Sequence, residues 1–123
     1  MTTDRIFTVA DANAELAALR ERLPRLRESR QGLIASSARI EGAVATDGGG
    51  VAGSDWFRHQ QTLRDEVEYL AQRGILLRDP ETGLVDFPGE REGERILLCW
   101  RLGEDDVAFF HTEHTGFSGR KPL

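Results

Sequence analysis

The sequence predicts an α+β fold: a long antiparallel, coiled-coil-like helical hairpin packed against a small antiparallel β-meander. Three observations carry this reading. An apolar seam with steps of three and four runs from Val9 to Val44 and resumes from Trp56 to Leu70. A glycine-rich stretch, Gly48-Gly49-Gly50-Val51-Ala52-Gly53, separates the two seams. After Gly74 the apolar period falls to two and turn residues recur at short intervals, as in strands. At 123 residues the chain is expected to form one domain. Its expected parts are a helical hairpin over about 8–74 with a flexible loop at 46–53, a meander over about 75–111 and a tail at 112–123.

In the first helix, Thr8 followed by Asp11 has the spacing of a capping box, with Asp in place of Glu, and Phe7 stands where a hydrophobic staple would. The seam then reads Val9, Ala12, Leu16, Leu19, Leu23, Leu26, Arg30, Leu33, Ser37, Ile40, Val44, with Arg30 and Ser37 as polar interruptions. Pro24 is expected to kink or break it. Ser54 is the expected cap of the second helix, whose seam is Trp56, Gln60, Leu63, Val67, Leu70 and whose stop is Gly74. Arg64, Asp65, Glu66 and Glu68 read as a solvated face. At about 1.5 Å per residue the helices would measure roughly 50 Å and 30 Å. The N-terminal part of the first therefore overhangs. Its apolar residues Val9, Ala12, Leu16, Leu19 and Leu23 must bend onto the β half, or meet a partner helix or a second copy of the chain.

The meander begins at Ile75-Leu76-Leu77-Arg78, turns at Asp79 to Gly83, continues through Leu84-Val85-Asp86-Phe87 and is expected to stop at Pro88-Gly89. Glu90 to Glu94 reads as a charged loop, and Arg95 to Leu102 and Val107 to His111 as a further strand pair. An even-membered turn would set Trp100 opposite Phe109 and Leu98 opposite His111, placing Trp100, Phe109 and His111 on the helix-facing side. Cys99 and His111 would then point to opposite faces, a poor geometry for a thiol nucleophile and its base. An odd-membered turn would exchange the faces of the last strand.

Composition narrows the function. The net charge of −5 argues against nucleic acid and against anionic membranes. The N-terminus lacks the apolar run of a signal peptide, no stretch is long enough for a membrane span, and Cys99 has no second cysteine to pair with, so a cytoplasmic location is expected. The prevalence of Arg over Lys, with Lys121 alone, points to a bacterial coding bias.

The segments Phe7-Thr8, Ala12-Asn13, Gly83-Leu84-Val85-Asp86-Phe87-Pro88, Leu98-Cys99-Trp100-Arg101-Leu102-Gly103-Glu104, His111 and Gly116-Phe117-Ser118-Gly119-Arg120-Lys121-Pro122-Leu123 resemble a small bacterial family, domain-of-unknown-function family 2203. The likeness spans nearly the whole chain, and its most specific part is C-terminal. It departs at Phe109-Phe110-His111, where the family more often carries a Tyr-Trp-His type ending. The resemblance implies a shared fold and no established activity.

Chemistry-bearing residues gather late in the chain. Asp86, Arg101, His111 and Arg120 are candidates for a small anionic ligand, because arginine forks match carboxylate and phosphate geometry. His111, His114 and Glu113 are candidates for a metal, with Asp86 or Cys99 nearby. The tail after Gly116 has neither helix nor strand pattern and is expected to anchor through Phe117 beside Trp100. No catalytic signature stands out, and no cofactor is strongly implied. The leading expectation is therefore a non-enzymatic adaptor acting through the overhanging seam. The alternative is a ligand- or metal-binding protein, or an enzyme, with its site at the end of the meander.

Overall fold

The computed structural model describes residues 5–46 and 52–123, with side chains described outside 38–54. The chain is an α+β protein: helices α1 (Val9–Thr46) and α2 (Ala52–Gln72) precede a five-stranded antiparallel sheet. The strands are β1 (Leu76–Asp79), β2 (Leu84–Arg91), β3 (Glu94–Arg101), β4 (Phe109–His111) and β5 (Lys121–Pro122), in spatial order β1-β2-β3-β4-β5. The expected loop at 46–53 is shorter at both ends, since Thr46 closes α1 and Ala52 and Gly53 open α2; residues 47–51 and the side chains of Ser54, Ile40 and Val44 lie outside the described residues. α2 begins at Ala52, so Ser54 stands inside its first turn rather than before it.

The capping box forms as the spacing requires. Thr8 N–H donates to Asp11 Oδ2 and Asp11 N–H to Thr8 Oγ1, both at 3.0 Å. That hydrogen bonding to Thr8 lowers the Asp11 carboxyl below its ordinary range. Phe7 is buried edge-on against Phe87, with ring centroids 5.1 Å apart. α1 runs through Pro24 without the expected break.

The overhang of α1 packs onto the sheet. Ala12, Leu16, Leu19, Leu23 and Leu26 share one core with Val85, Phe87, Ile96, Leu98, Trp100 and Val107. Ala12, Leu16, Leu19 and Leu23 are each no more than 2% exposed, so this seam is occupied inside the chain, and only Val9, at 39%, remains open. A second face of α1, about a quarter-turn away, meets α2. There Glu15 takes both arms of Arg73 (2.7 and 2.9 Å) and Glu66 takes Arg22 (3.1 and 3.2 Å). Glu66 is therefore buried at the helix interface, not part of a solvated face. The polar positions of the seam also differ from expectation. Ser29 and Ser36 are the buried ones, Ser37 is exposed, and Arg30 reaches sideways to Glu81 in the β1–β2 turn. A heptad list follows one stripe, whereas α1 packs one face on the sheet and another on α2.

β2 does not stop at Pro88-Gly89. It continues to Arg91 and pairs with β3 through Arg91 opposite Glu94. Proline is tolerated because β1 pairing ends at Asp86, leaving that side of β2 free of a strand. The Pro88 carbonyl accepts the Phe7 N–H at 2.7 Å instead. The expected charged loop shrinks to two residues, Glu92 (φ 53°) and Gly93 (φ 81°), a type I′ hairpin turn.

The β3–β4 register also differs from the even-turn expectation. Cys99 faces Phe109, Leu98 faces Phe110 and Leu97 faces His111. The connection is odd-membered because it docks on α1. Val107 N–H donates to Asn13 Oδ1 at 2.7 Å, and the Asp105 carbonyl accepts from Trp100 Nε1 (3.0 Å) and Arg20 Nη2 (2.9 Å). Trp100 stays in the core as expected, but Phe110, not Phe109, packs against it. Phe109 and His111 turn to the outer face with Cys99.

Two substitutions test this architecture. Glu92→Asn replaces a residue that resists positive φ by one that accepts it, and should stabilise the fold by about 0.5–1 kcal/mol in urea titrations. No gain in the unfolding midpoint would contradict the I′ geometry. Gly83 (φ 73°) lies where an added Cβ would come within 2.7 Å of Leu102 Cβ. Gly83→Ala should therefore cost about 2–4 kcal/mol, and a near-neutral result would show that the β1–β2 turn is placed differently.

Candidate functional site

The face of the sheet turned away from the helices carries the chemistry. Asp86 on β2 stands directly opposite Cys99 on β3, and His111 on β4 is one row along. Asp86 and His111 reach towards each other across β3, and the short Cys99 side chain between them leaves room to meet. His111 Nε2 lies 3.0 Å from Asp86 Oδ2. Asp86 and Cys99 are 1% exposed and His111 is 5% exposed. One donor atom from each of the three lies within 4.8 Å of the others.

Each group is held from outside the trio. Arg78 on β1 donates Nε to Asp86 Oδ2 at 2.8 Å. His111 Nδ1 lies 2.7 Å from the Thr112 carbonyl. Asp86 Oδ1 is buried, with no hydrogen-bond partner among the described residues. Burial, and then the nearby Asp86 charge, push the Cys99 thiol up to about 11. Arg120 opposes this, with Nη1 4.0 Å from the sulfur. Cys99 and His111 do share a face, contrary to the expected register, yet a thiol so raised is not an activated nucleophile.

The tail builds the roof. Contrary to the sequence pattern, it contains a 3₁₀ turn at Phe117–Gly119 and the short strand β5. Leu123 N–H donates to the Ala108 carbonyl at 2.9 Å, and Gly116 enters the 3₁₀ turn at φ 67°. Arg120 lies 4.0 Å from the Phe109 ring centroid and 4.2 Å from that of Phe117. It grips Glu104 with both arms at 3.1 and 2.5 Å. That pairing holds the Glu104 carboxyl below its ordinary range and raises Arg120. The tail is anchored, as expected, but on the outer face rather than beside Trp100.

Beside the trio lies a cleft of about 260 Å³ lined by Arg78, Leu84, Asp86, His111, Glu113, Gly116 and Phe117. The sequence-derived candidates divide around it. Asp86 and His111 form its floor, and Glu113 lies on its rim. Arg101 is drawn over Phe117, 5.0 Å from the ring centroid, and Arg120 is committed to Glu104, so the expected arginine clamp does not assemble. His114 is exposed, with its backbone N–H on Thr112 Oγ1 at 3.4 Å, and does not join His111. Arg78 was missed. It belongs to a strand read only for its apolar residues, and the bulge between Leu77 and Asp79 that marks its position follows no sequence signal.

Fold and site together define a class: an α+β protein in which a helical hairpin backs one side of a sheet and the C-terminal tail closes a polar cleft on the other. The chain belongs to the family described as Uncharacterized conserved protein (DUF2203), matched over residues 5–123. No curated protein and no solved structure matches it. Among the described residues, no helix is long and apolar enough to cross a membrane.

The raised Cys99 thiol has a measurable consequence. In chelator-treated native protein, alkylation by iodoacetamide should rise about tenfold per pH unit between about pH 7 and pH 9 without levelling, because the thiolate remains a small fraction throughout. Levelling below pH 9 would show that the thiolate forms far more readily than this environment allows.

Proposed function

We propose that this protein binds a small polar ligand in the outer-face cleft, with Asp86 and His111 as its floor and the C-terminal tail as one wall. The observation that carries this reading is Asp86 Oδ1, a buried carboxylate oxygen without a partner among the described residues, in a residue that lines an open cleft. Such an atom carries a desolvation cost of about 1–3 kcal/mol until a donor or a cation meets it. A ligand that supplies one recovers that cost. Arg78 adds a second polar handle: its Nε is committed to Asp86, and no described residue takes its Nη groups.

An adaptor acting through Val9, Ala12, Leu16, Leu19 and Leu23 has less support, because four of these five side chains are buried in the chain's own core.

Native mass spectrometry of untagged protein taken directly from cells tests the proposal. The wild type should carry a non-covalent mass, and Asp86→Asn, of nearly equal size, should lose most of it. A wild type that leaves the cell bare and takes up nothing from a cell extract would sink the reading.

A further inference from the structure

We propose that Asp86, Cys99 and His111 form a mononuclear site for a divalent transition-metal ion of the zinc class at the floor of the cleft. This deepens the ligand-binding reading and rests on it. The donor set itself carries the first part of the inference. A thiol, an imidazole and a carboxylate from β3, β4 and β2 point to one spot, all buried, within 4.8 Å of one another. Nitrogen, sulfur and oxygen together suit zinc or a neighbouring borderline ion. Magnesium and calcium prefer oxygen alone.

The hydrogen-bond direction at His111 carries the second part. The Thr112 carbonyl can only accept, so Nδ1 bears the ring proton and Nε2 of a neutral ring carries the lone pair. That lone pair faces the Asp86 carboxylate at 3.0 Å, where two acceptors cannot rest against each other. Either a proton must lie between them, or a cation held by Oδ1 must draw the Nε2 lone pair away from Oδ2. An Nδ1–H held by a backbone carbonyl with Nε2 turned inwards is the arrangement that orients a metal-binding histidine.

The unpartnered Asp86 Oδ1 carries the third part. With Arg78 fixed on Oδ2, Oδ1 is the oxygen left to ligate. Arg78 and the Thr112 carbonyl then act as outer supports. A tetrahedral ion needs donor separations of roughly 3.3–3.6 Å, so Nε2 and the carboxylate, now 3.0 Å apart at Oδ2, must part slightly, and any separation near the 4.8 Å limit must shorten by about an ångström. On binding, the ion replaces the Cys99 thiol proton and the proton shared by Nε2 and the carboxylate, and both leave to solvent. Two anionic ligands balance the charge of the ion. The fourth position opens towards the cleft, where water can reach it.

The test uses the full, untagged chain, stripped with chelator and titrated with Co²⁺. One equivalent should produce a thiolate-to-cobalt charge-transfer band in the near ultraviolet, and Zn²⁺ should displace it. Cys99→Ser should abolish the band and weaken Zn²⁺ binding by at least roughly 100-fold, whereas His114→Ala should change neither. Should Cys99→Ser fail to fold, Zn²⁺ protection of wild-type Cys99 from alkylation gives the same answer without a variant. No band and no protection, a band that survives in Cys99→Ser, or one lost in His114→Ala would each overturn the site. If native mass spectrometry finds a bound organic molecule while cobalt gives no band, a shared proton joins Asp86 to His111, the metal site falls and the cleft reading stands. If neither a bound mass nor a band is found, both fall.

Discussion

The docking of the β3–β4 connection on α1 is the constraint from which the outer face follows. Asn13 accepts the Val107 N–H, the Asp105 carbonyl gathers Trp100 and Arg20, and Val107 enters the core. These contacts make the connection odd-membered. A one-residue change of register moves every side chain of the following strand to the other face. His111 consequently leaves the helix side and meets Asp86 over Cys99, and Phe109 becomes the platform on which Arg120 rests. A helix on one side of the sheet thus sets the polar chemistry on the other.

The same connection holds the roof. Glu104 accepts the Arg101 N–H at 2.8 Å and pairs with Arg120 from the tail. One acidic residue therefore joins the turn that sets the register to the segment that covers the trio. Arg120 is only 15% exposed along its side chain and is flanked by two aromatic rings, so the pair works in a partly desolvated setting where it is worth more than an ordinary surface ion pair.

Local chemistry was legible in the sequence, and long-range docking was not. The Thr8–Asp11 cap could be read because its partners are three residues apart. The helical hairpin could be read because glycine and the change of apolar period are local signals. The β3–β4 register depends on Asn13, more than ninety positions away from Val107, and nothing near residue 104 announces that contact. Pro88 looked like a stop because proline ends central strands; that β2 lacks a strand neighbour there depends on where β1 ends. Glu66 looked solvated because its sequence neighbours are, although the partner that buries it, Arg22, comes from the other helix. Within the site, Asp86 and His111 were recognisable by residue type, whereas Arg78 and the role of Cys99 required the sheet.

Glu81 marks a boundary with a further meaning. Its carboxylate meets Arg30 and Gln31, and its carbonyl meets Arg27, so the β1–β2 turn is belted to the middle of α1. Ile34, one turn beyond that belt, is 58% exposed. Before the belt, α1 is buried between sheet and α2. Just past the belt, Gly32 lies against the His59 ring of α2, where an added Cβ would come within 2.4 Å of it. A side chain added at Gly32 would therefore push on α2 while leaving the register, the roof and the buried trio untouched.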